Sequence, residues 1–431
     1  MKEIKIKSFL ISALMRLPPL PHEIIYLILF FGFFLAFFFM FVIFRKEEKI
    51  KGKVANEAVS FVIPAKNARR WIKKCIYSVI NQNYPGQINI VVVNDGSTDG
   101  TEKIVEKIAR KIKRKNRKIF LLSRESQGRK VFAVNHGLMF VLKKLKTPYI
   151  AVLDADTIID KSSLQDMLPR LQGKTACVIS PIAVHNKKKL LAKLQSIEYT
   201  MSYFFKELTG RIESLCIAPA FSLFKTDFFV KHGLYDPNTI TEDFEIAMRV
   251  KSRGYNIAMS KLKIYTAVPE GLRELRKQRI RWGYGEIQNI LKYRHLVLRQ
   301  GFFGIFFLPV VMCLGIIVLL AGFSTVIYMA ISKIVNLIHS LSIGWVPNLS
   351  LAIKEKLNLF SLSLFASDPK IILIVFSILL SSFFFVYSHK YRKERINFFH
   401  YLIYIFIYSF LLAYFRLEGI IRYVFKIRTR W

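Results

Sequence analysis

Ile24 to Phe44 is a run of 21 residues without a charged side chain. As a helix it would measure about 32 Å, enough to cross the hydrocarbon core of a bilayer. It exceeds the apolar core of a secretory signal and lacks an obvious small-residue cleavage site, so it reads as an anchor. Phe302–Ile331 is uncharged over 30 residues, interrupted only by Pro309, and Ile371–Ser388 and Phe398–Phe415 are 18-residue runs rich in Phe, Ile and Tyr. The alternative for this set is buried helices of a large soluble core. The runs divide the chain into an arm (1–23), a first span (24–44), a soluble region (45–270), a basic helical segment at the membrane interface (271–301), and a C-terminal region (302–431). The last would hold about three spans, near 302–331, 371–388 and 398–415.

Between the runs the chain is strongly basic: 66 Lys and Arg against 29 Asp and Glu leave a net charge of +37, although 53% of the residues are hydrophobic and 38 are Phe. A soluble nucleic-acid binder would be more polar and a disordered basic tail would lack aromatics, so no nucleic-acid partner is expected. High charge and high apolarity coexist when spans sit in lipid and a basic part faces anionic membrane lipids. Arg45–Arg299 holds 49 of the basic residues and 23 acidic ones. Its flanks, Arg45, Lys46 and Lys49 at one end and Lys292, Arg294 and Arg299 at the other, place it in the cytoplasm of an integral protein of the cell membrane. Lys2, Lys5, Lys7 and Arg16 argue mildly against an external N-terminal arm.

Four spans would put the cluster Lys390, Arg392, Lys393, Arg395 inside, as expected, but Arg416, Arg422, Lys426, Arg428 and Arg430 outside. Splitting Phe302–Ser342 into two spans exchanges one conflict for the other, and both topologies stay open. Cys75, Cys177, Cys216 and Cys313 have no paired ligand spacing, which suits a reducing compartment without a disulfide framework or zinc site.

The soluble region alternates strand and helix. Strands are expected at Val59–Ile63, Ile88–Val93, Ile119–Ser123 and Tyr149–Leu153, and helices at Trp71–Asn81, Thr101–Lys115 and Val131–Leu145. Strands apolar on both faces and separated by helices imply an α/β domain with a mostly parallel sheet covered on both sides. Ligands bind such sheets beyond the carboxyl ends of the strands. The basic run Lys111–Lys118 is most simply a solvated helix end.

Asn94-Asp95-Gly96-Ser97-Thr98-Asp99 comes after the second strand. Gly96 permits a tight turn and Ser97 or Thr98 a helix cap, which is one reading; Asp95 accepting hydrogen bonds from a base or ribose is the other. Asp154-Ala155-Asp156 comes after the fourth. Carboxylates two apart suit a divalent cation against a diphosphate, although the pattern is common by chance. Thr241-Glu242-Asp243 precedes the helical stretch Phe244–Arg253, as acidic caps for the helix dipole or with a carboxylate poised as a general base. Gln278, Arg281 and Trp282 fall on one helical face. Arg pairs with phosphate and a flat indole stacks on sugar C–H bonds, but interfacial anchoring would need the same residue types.

Taken in order, Ile63-Pro64-Ala65-Lys66-Asn67, the Asn94–Asp99 segment, Lys130-x-x-Ala133-x-Asn135-x-Gly137, Asp154-x-Asp156, Thr241-Glu242-Asp243 and Gln278-x-x-Arg281-Trp282 resemble the membrane-bound inverting glycosyltransferases of family 2. That group includes cellulose, chitin and hyaluronan synthases and ceramide glucosyltransferases. The resemblance covers residues 57 to about 300 and extends to the flanking runs. It implies a GT-A fold, a nucleotide-diphosphate sugar donor such as a UDP-sugar, a growing glycan or a lipid as acceptor, and Mg²⁺ or Mn²⁺.

By the same resemblance Pro64, Ala65, Asn67, Asp95, Gly96 and Ser97 belong to the nucleotide-sugar site. Asp154 would contact the ribose or sugar side, Lys130 would lie near the donor, and Asp156 would ligate the metal. Asp243 would deprotonate the acceptor hydroxyl. Glu242, Gln278, Arg281 and Trp282 would bind the diphosphate and the acceptor end of the product. Arg129-Lys130 replaces the usual Gly-Lys, and Ala218-Pro219-Ala220-Phe221-Ser222 lacks the glycines and cysteine of some polymer synthases. The expected activity is glycan extension. The alternatives are single sugar addition to a lipid, a non-catalytic basic membrane protein, or a transporter, the last disfavoured because the runs contain no charge.

Overall fold

The computed structural model describes residues 22–45, 56–112, 114–317, 331–332, 334–335, 338 and 369–427. The arm over 1–21, Lys46, Lys49, most of the later part of the 302–331 run, Ser342, Arg428 and Arg430 lie outside those residues. Contacts group the chain in two units, Met1–Phe41 with Val310–Tyr387, and Val42–Pro309 with Ser388–Trp431. In the first, the Phe33 and Phe376 rings stack at 5.1 Å. Helices His22–Phe44 and Pro369–Tyr391, 23 residues each, cover the runs at 24–44 and 371–388. Among the described residues one helix, Phe398–Val424, has both the length and the hydropathy to cross a membrane, and Leu29–Phe44 and Phe303–Ile317 are shorter apolar stretches.

The second unit is built on a seven-stranded sheet. In chain order its strands are β1 (Val59–Ala65), β2 (Ile88–Asp95), β3 (Arg117–Arg124), β4 (Tyr149–Leu153), β5 (Thr175–Ile179), β7 (Phe221–Lys225) and β8 (Asn256–Met259). They lie in the order β3-β2-β1-β4-β7-β5-β8, and β6 (Ile182–Val184) pairs with β9 (Ile264–Thr266) beside them. All neighbours are parallel except β7, which runs antiparallel to β4 and β5. β-Branched runs such as Ile88–Val93 favour this pleated, doubly buried setting. Alternate residues feed two cores: Val62, Val91, Val93, Ile150 and Val152 on one face, Phe61, Ile63, Ile90, Val92 and Ala151 on the other. The expected mostly parallel sheet flanked by helices is what the chain forms.

One local expectation fails. Arg117, in the basic run read as a solvated helix end, is buried at the start of β3 and donates to the carbonyls of Ile80, Gln82, Tyr84, Gly86 and Asn116 at 2.8–3.2 Å. The helix ends earlier, at Lys111. A guanidinium supplies five donors, and here they tie the 80–86 turn to the start of β3.

Candidate active site

The carboxyl ends of β1, β2 and β4 open onto a cavity of about 370 Å³ lined by Pro64, Ala65, Asn67, Asp95, Lys130, Asp154 and Asp156. A second cavity of about 230 Å³ shares Lys130, Asp154 and Asp156 and continues to Tyr199, Tyr235, Glu242, Asp243, Gln278, Arg281 and Trp282. Residues spread over more than 200 positions therefore meet around one set of carboxylates. Gly96 and Ser97 stand outside both linings. Gly96 turns the chain at φ +68°, and the Ser97 hydroxyl accepts from the Asn67 amide at 3.0 Å, tying the loop after β2 to the loop after β1.

Asp95 sits at the mouth of β2, ion-paired with Arg124 at 3.2 Å and accepting from Ser126 at 2.8 Å. Lys130, at the start of helix Lys130–Phe140, is ion-paired with Asp154 and lies 3.9 Å from Glu242. Burial alone would lower the Lys130 ammonium; Asp154 and Glu242 beside it outweigh burial and hold it above its ordinary value. The rest of that motif is architecture. The Asn135 side chain pairs with both backbone groups of Tyr235, at 2.7 and 3.0 Å, and a Cβ on Gly137 would meet Val62 at 2.5 Å. Arg129, where Gly was expected, reaches the carbonyls of Pro237 and Thr239 just ahead of Thr241-Glu242-Asp243.

Asp156 is pushed up to about 6, first by burial and then by Asp154 beside it, although the Thr157 and Thr266 hydroxyls each donate to it at 3.3 Å. Asp243, in the first turn of helix Glu242–Ser252, is also pushed up to about 6, by burial first and Glu242 second, against the pull of Arg281 and Lys130. Among the described residues no group of three or more His, Cys, Asp or Glu forms a metal cage. A cation here would draw on Asp156, with Asp154 near, and complete its oxygen shell from a ligand, the usual arrangement for Mg²⁺ or Mn²⁺ on a diphosphate. The raised Asp156 carboxyl, with Asp154 beside it, fits such an ion.

Gln278, Arg281 and Trp282 project from helix Leu272–Lys292 into the second cavity. Gln278 Oε1 is buried and has no hydrogen-bond partner among the described residues, so it is available to a ligand hydroxyl. The same helix brackets the acidic motif. Gln288 accepts from the Ile240 amide at 2.9 Å, Asn289 donates to the Thr241 hydroxyl at 3.0 Å, and a Cβ on Gly285 would fall 2.2 Å from that hydroxyl. Sequence reasoning passed over Arg279, Glu198, Tyr199 and Tyr235. Arg279 had a signal, standing three residues before Trp282; Glu198 and the tyrosines come from chain with no motif.

A glycosyltransferase matches both the fold and this crossing of carboxylates at strand ends. The description "Glycosyl transferase family 2" fits residues 60–233, and "Glycosyl transferase family group 2" fits residues 149–417. The second covers more than half of the chain, which belongs to that family of enzymes. Poly-beta-1,6-N-acetyl-D-glucosamine synthase of Staphylococcus aureus (strain COL) is 30% identical over 243 residues, 55% of this chain and 56% of that protein. Its Staphylococcus epidermidis counterpart is 29% identical over the same length. The chain thus spans about half the length of the curated relatives it matches. Mannosyltransferase PcManGT from Pyrobaculum calidifontis, in complex with GDP-Man and Mn²⁺, shares the fold with a TM-score of 0.59 over 95% of this chain and 100% of its own, at 15% identity.

Proposed function

We propose that the chain is a membrane glycosyltransferase that extends a glycan from a nucleotide-diphosphate sugar, a UDP-sugar first among donors, with inversion at the anomeric carbon. The observation that carries this reading is the shared lining: Lys130, Asp154 and Asp156 belong both to the cavity at the strand ends and to the one holding Asp243 and Trp282. The nucleoside fits the first cavity, against Asp95 and Pro64–Asn67, and the acceptor fits the second. Likeness to poly-N-acetylglucosamine synthases favours a polymer over a single addition.

In the reaction Asp243 takes the proton of the acceptor hydroxyl as its oxygen bonds to the anomeric carbon. The bond from that carbon to the diphosphate oxygen breaks on the opposite face, and its electron pair leaves with the nucleotide. One displacement inverts the centre, so an α-linked donor yields a β-linkage. A carboxylate held at about 6 is ionised at neutral pH and still basic enough for the task. Arg281 and Lys130 face the leaving negative charge. A divalent ion on Asp156, when bound, neutralises the diphosphate. Trp282 offers its ring to the acceptor sugar and Gln278 its free amide oxygen to a hydroxyl.

The apolar helices and the basic flanks support membrane residence with the catalytic unit on the cytoplasmic face. The deciding experiment is a panel of UDP- and GDP-sugars on purified membranes, recording nucleotide release and product size. Metal-dependent release with a ladder or polymer is expected. A single glycolipid product would convert the reading to one addition on a lipid, and no release with any donor would end it.

A further inference from the structure

A cavity of about 420 Å³ opens at the amino ends of β5 and β8, where Lys174 and Asn256 line it. β7 is antiparallel to both β4 and β5, so β4 and β5 point the same way. This edge of the sheet is therefore opposite the one that carries Asp154. Among the described residues three cations, Arg45, Lys174 and Lys251, and one carboxylate, Glu213, line the space. Arg45 and Lys174 are exposed, whereas Lys251 is 6% exposed. None of the three cations is ion-paired among the described residues. The Lys251 ammonium donates to neutral oxygens, the Glu213 carbonyl at 2.6 Å and the Asn256 side chain at 2.9 Å.

A buried ammonium with neutral partners leaves its charge unmatched, which is costly until an anion arrives. Burial pulls Lys251 below its ordinary value, an effect that a bound anion would oppose. Helix Glu242–Ser252 ends at this cavity, but its last carbonyls are already taken. Those of Val250 and Lys251 accept from the Tyr255 and Gly254 amides at 3.1 and 3.0 Å, and that of Ser252 accepts from the Gln300 side chain at 3.1 Å. Glu213 and Gln300, which also line the cavity, hold left-handed backbone at φ +53° and +61°. Side chains other than Gly keep that conformation where the surroundings enforce it, as at ligand clamps.

We propose that this cavity binds a phosphate group, at a site separate from that of the sugar donor. A tetrahedral oxyanion can accept from a guanidinium and two ammonium groups at once, and Glu213 is the carboxylate that opposes it. A lipid headgroup and free inorganic phosphate share this chemistry, and position favours the lipid. Arg45 follows directly on the first apolar run, and Phe302 and Phe303, also in the lining, open the second. The Phe303 ring centre lies 5.6 Å from the Lys251 ammonium, and Phe302 is 43% exposed. Acyl chains would thus leave the charged cavity along apolar surface. The lipid source rests on the membrane reading above; the phosphate chemistry does not.

The test follows the melting temperature of the full chain in neutral detergent, titrated with inorganic phosphate, dioctanoyl phosphatidic acid or dioctanoyl phosphatidylcholine. A ligand of the folded chain raises it. Phosphatidic acid should act at lower concentration than phosphate, and phosphatidylcholine should have no effect. Arg45→Gln combined with Lys174→Gln, both at exposed positions, should melt like the parent without ligand. That double variant should need at least about tenfold more phosphatidic acid for the same shift. An undiminished response in the double variant overturns the site, as does no response of the parent to either phosphate ligand. Equal potency of phosphate and phosphatidic acid keeps the phosphate site and overturns the lipid source. Release of the parent from membranes by alkaline carbonate overturns the lipid source together with the membrane reading. Failure to respond to the lipid in a carbonate-resistant chain overturns the lipid source alone.

Discussion

The guanidinium carbon of Arg279 lies 4.1 Å from the centre of the Trp282 ring while the same group is bonded to Glu198 at 2.8 Å. Arg279 is 5% exposed, and the surrounding charge, chiefly Glu198, holds it above its ordinary value despite burial. It does not reach the ligand space that Trp282 lines. Its position fixes the plane of the indole, so it is a positioning residue.

Replacing Arg279 by Lys keeps the charge and removes the flat stack. A buried cation–π contact contributes about 1–2 kcal/mol, so glycan transfer should fall about 5- to 30-fold. Donor binding should stay within about twofold, measured by nucleotide competition. Equal loss of both would assign Arg279 a general structural role instead.

Asp243 and Asp156 set the pH response. Both carboxyls sit at about 6, so the ionised forms that the proposed proton abstraction and cation binding require are lost as pH falls through that value. Transfer should rise between about pH 5 and 7 and then level. Asp243→Asn should abolish transfer at every pH. Stability moves the other way. A carboxyl raised on folding favours the native state when protonated, so the ligand-free protein loses stability as pH rises from about 4 to about 6. Asp243→Asn should therefore raise the melting temperature at pH 7.5 and leave it unchanged at pH 4.

Removal of divalent cations should stop nucleotide release, and Mn²⁺ or Mg²⁺ should restore it. Asp156→Ala should abolish release even at saturating metal. Wild-type release that persists in excess EDTA would remove the ion from the mechanism.

Gly285 tests the bracket between helix Leu272–Lys292 and the acidic motif. On an open helix Gly→Ala stabilises by about 1 kcal/mol. Here the new Cβ would stand 2.2 Å from the Thr241 hydroxyl, so either the helix or the motif must shift. Overpacking of this kind costs about 1–3 kcal/mol. Gly285→Ala should accumulate in membranes, melt lower than the parent and lose at least tenfold in transfer, because Glu242 and Asp243 come directly after Thr241.

Arg117→Ala should lower stability by about 2–4 kcal/mol, measured by denaturation in detergent, because five carbonyls lose a charged donor group. Residual transfer per folded molecule should be unchanged, since Arg117 lies at the amino ends of the strands.

The strands and their carboxyl-end motifs were legible in the chain because both are local. A run such as Ile88–Val93 states its own burial, and a parallel strand delivers the residues after it to the ligand edge. Helical spacing likewise brought Gln278, Arg281 and Trp282 to one side. The Arg129 substitution was visible as a departure, but its grip on Pro237 and Thr239 was not, because a side chain reaching more than 100 positions away leaves no periodic trace. The same holds for Glu198 and for Arg117, whose neighbours suggested solvent.

The sequence by itself determined an α/β domain with carboxylates after its strands, a basic balance, and apolar runs long enough for lipid. Composition and short-range spacing carry that information. Only the tertiary structure decided that Asp156 and Asp243 share a cavity, that Arg279 rather than solvent faces the Trp282 ring, and that both ends of Phe398–Val424 return to the catalytic unit. An apolar run of a given length reads the same whether its helix crosses a bilayer or lies along it. Ion pairs such as Glu394 with Lys263 and Arg416 with Glu286 join residues more than 100 positions apart and exist only once the chain is folded, so no local pattern announces them.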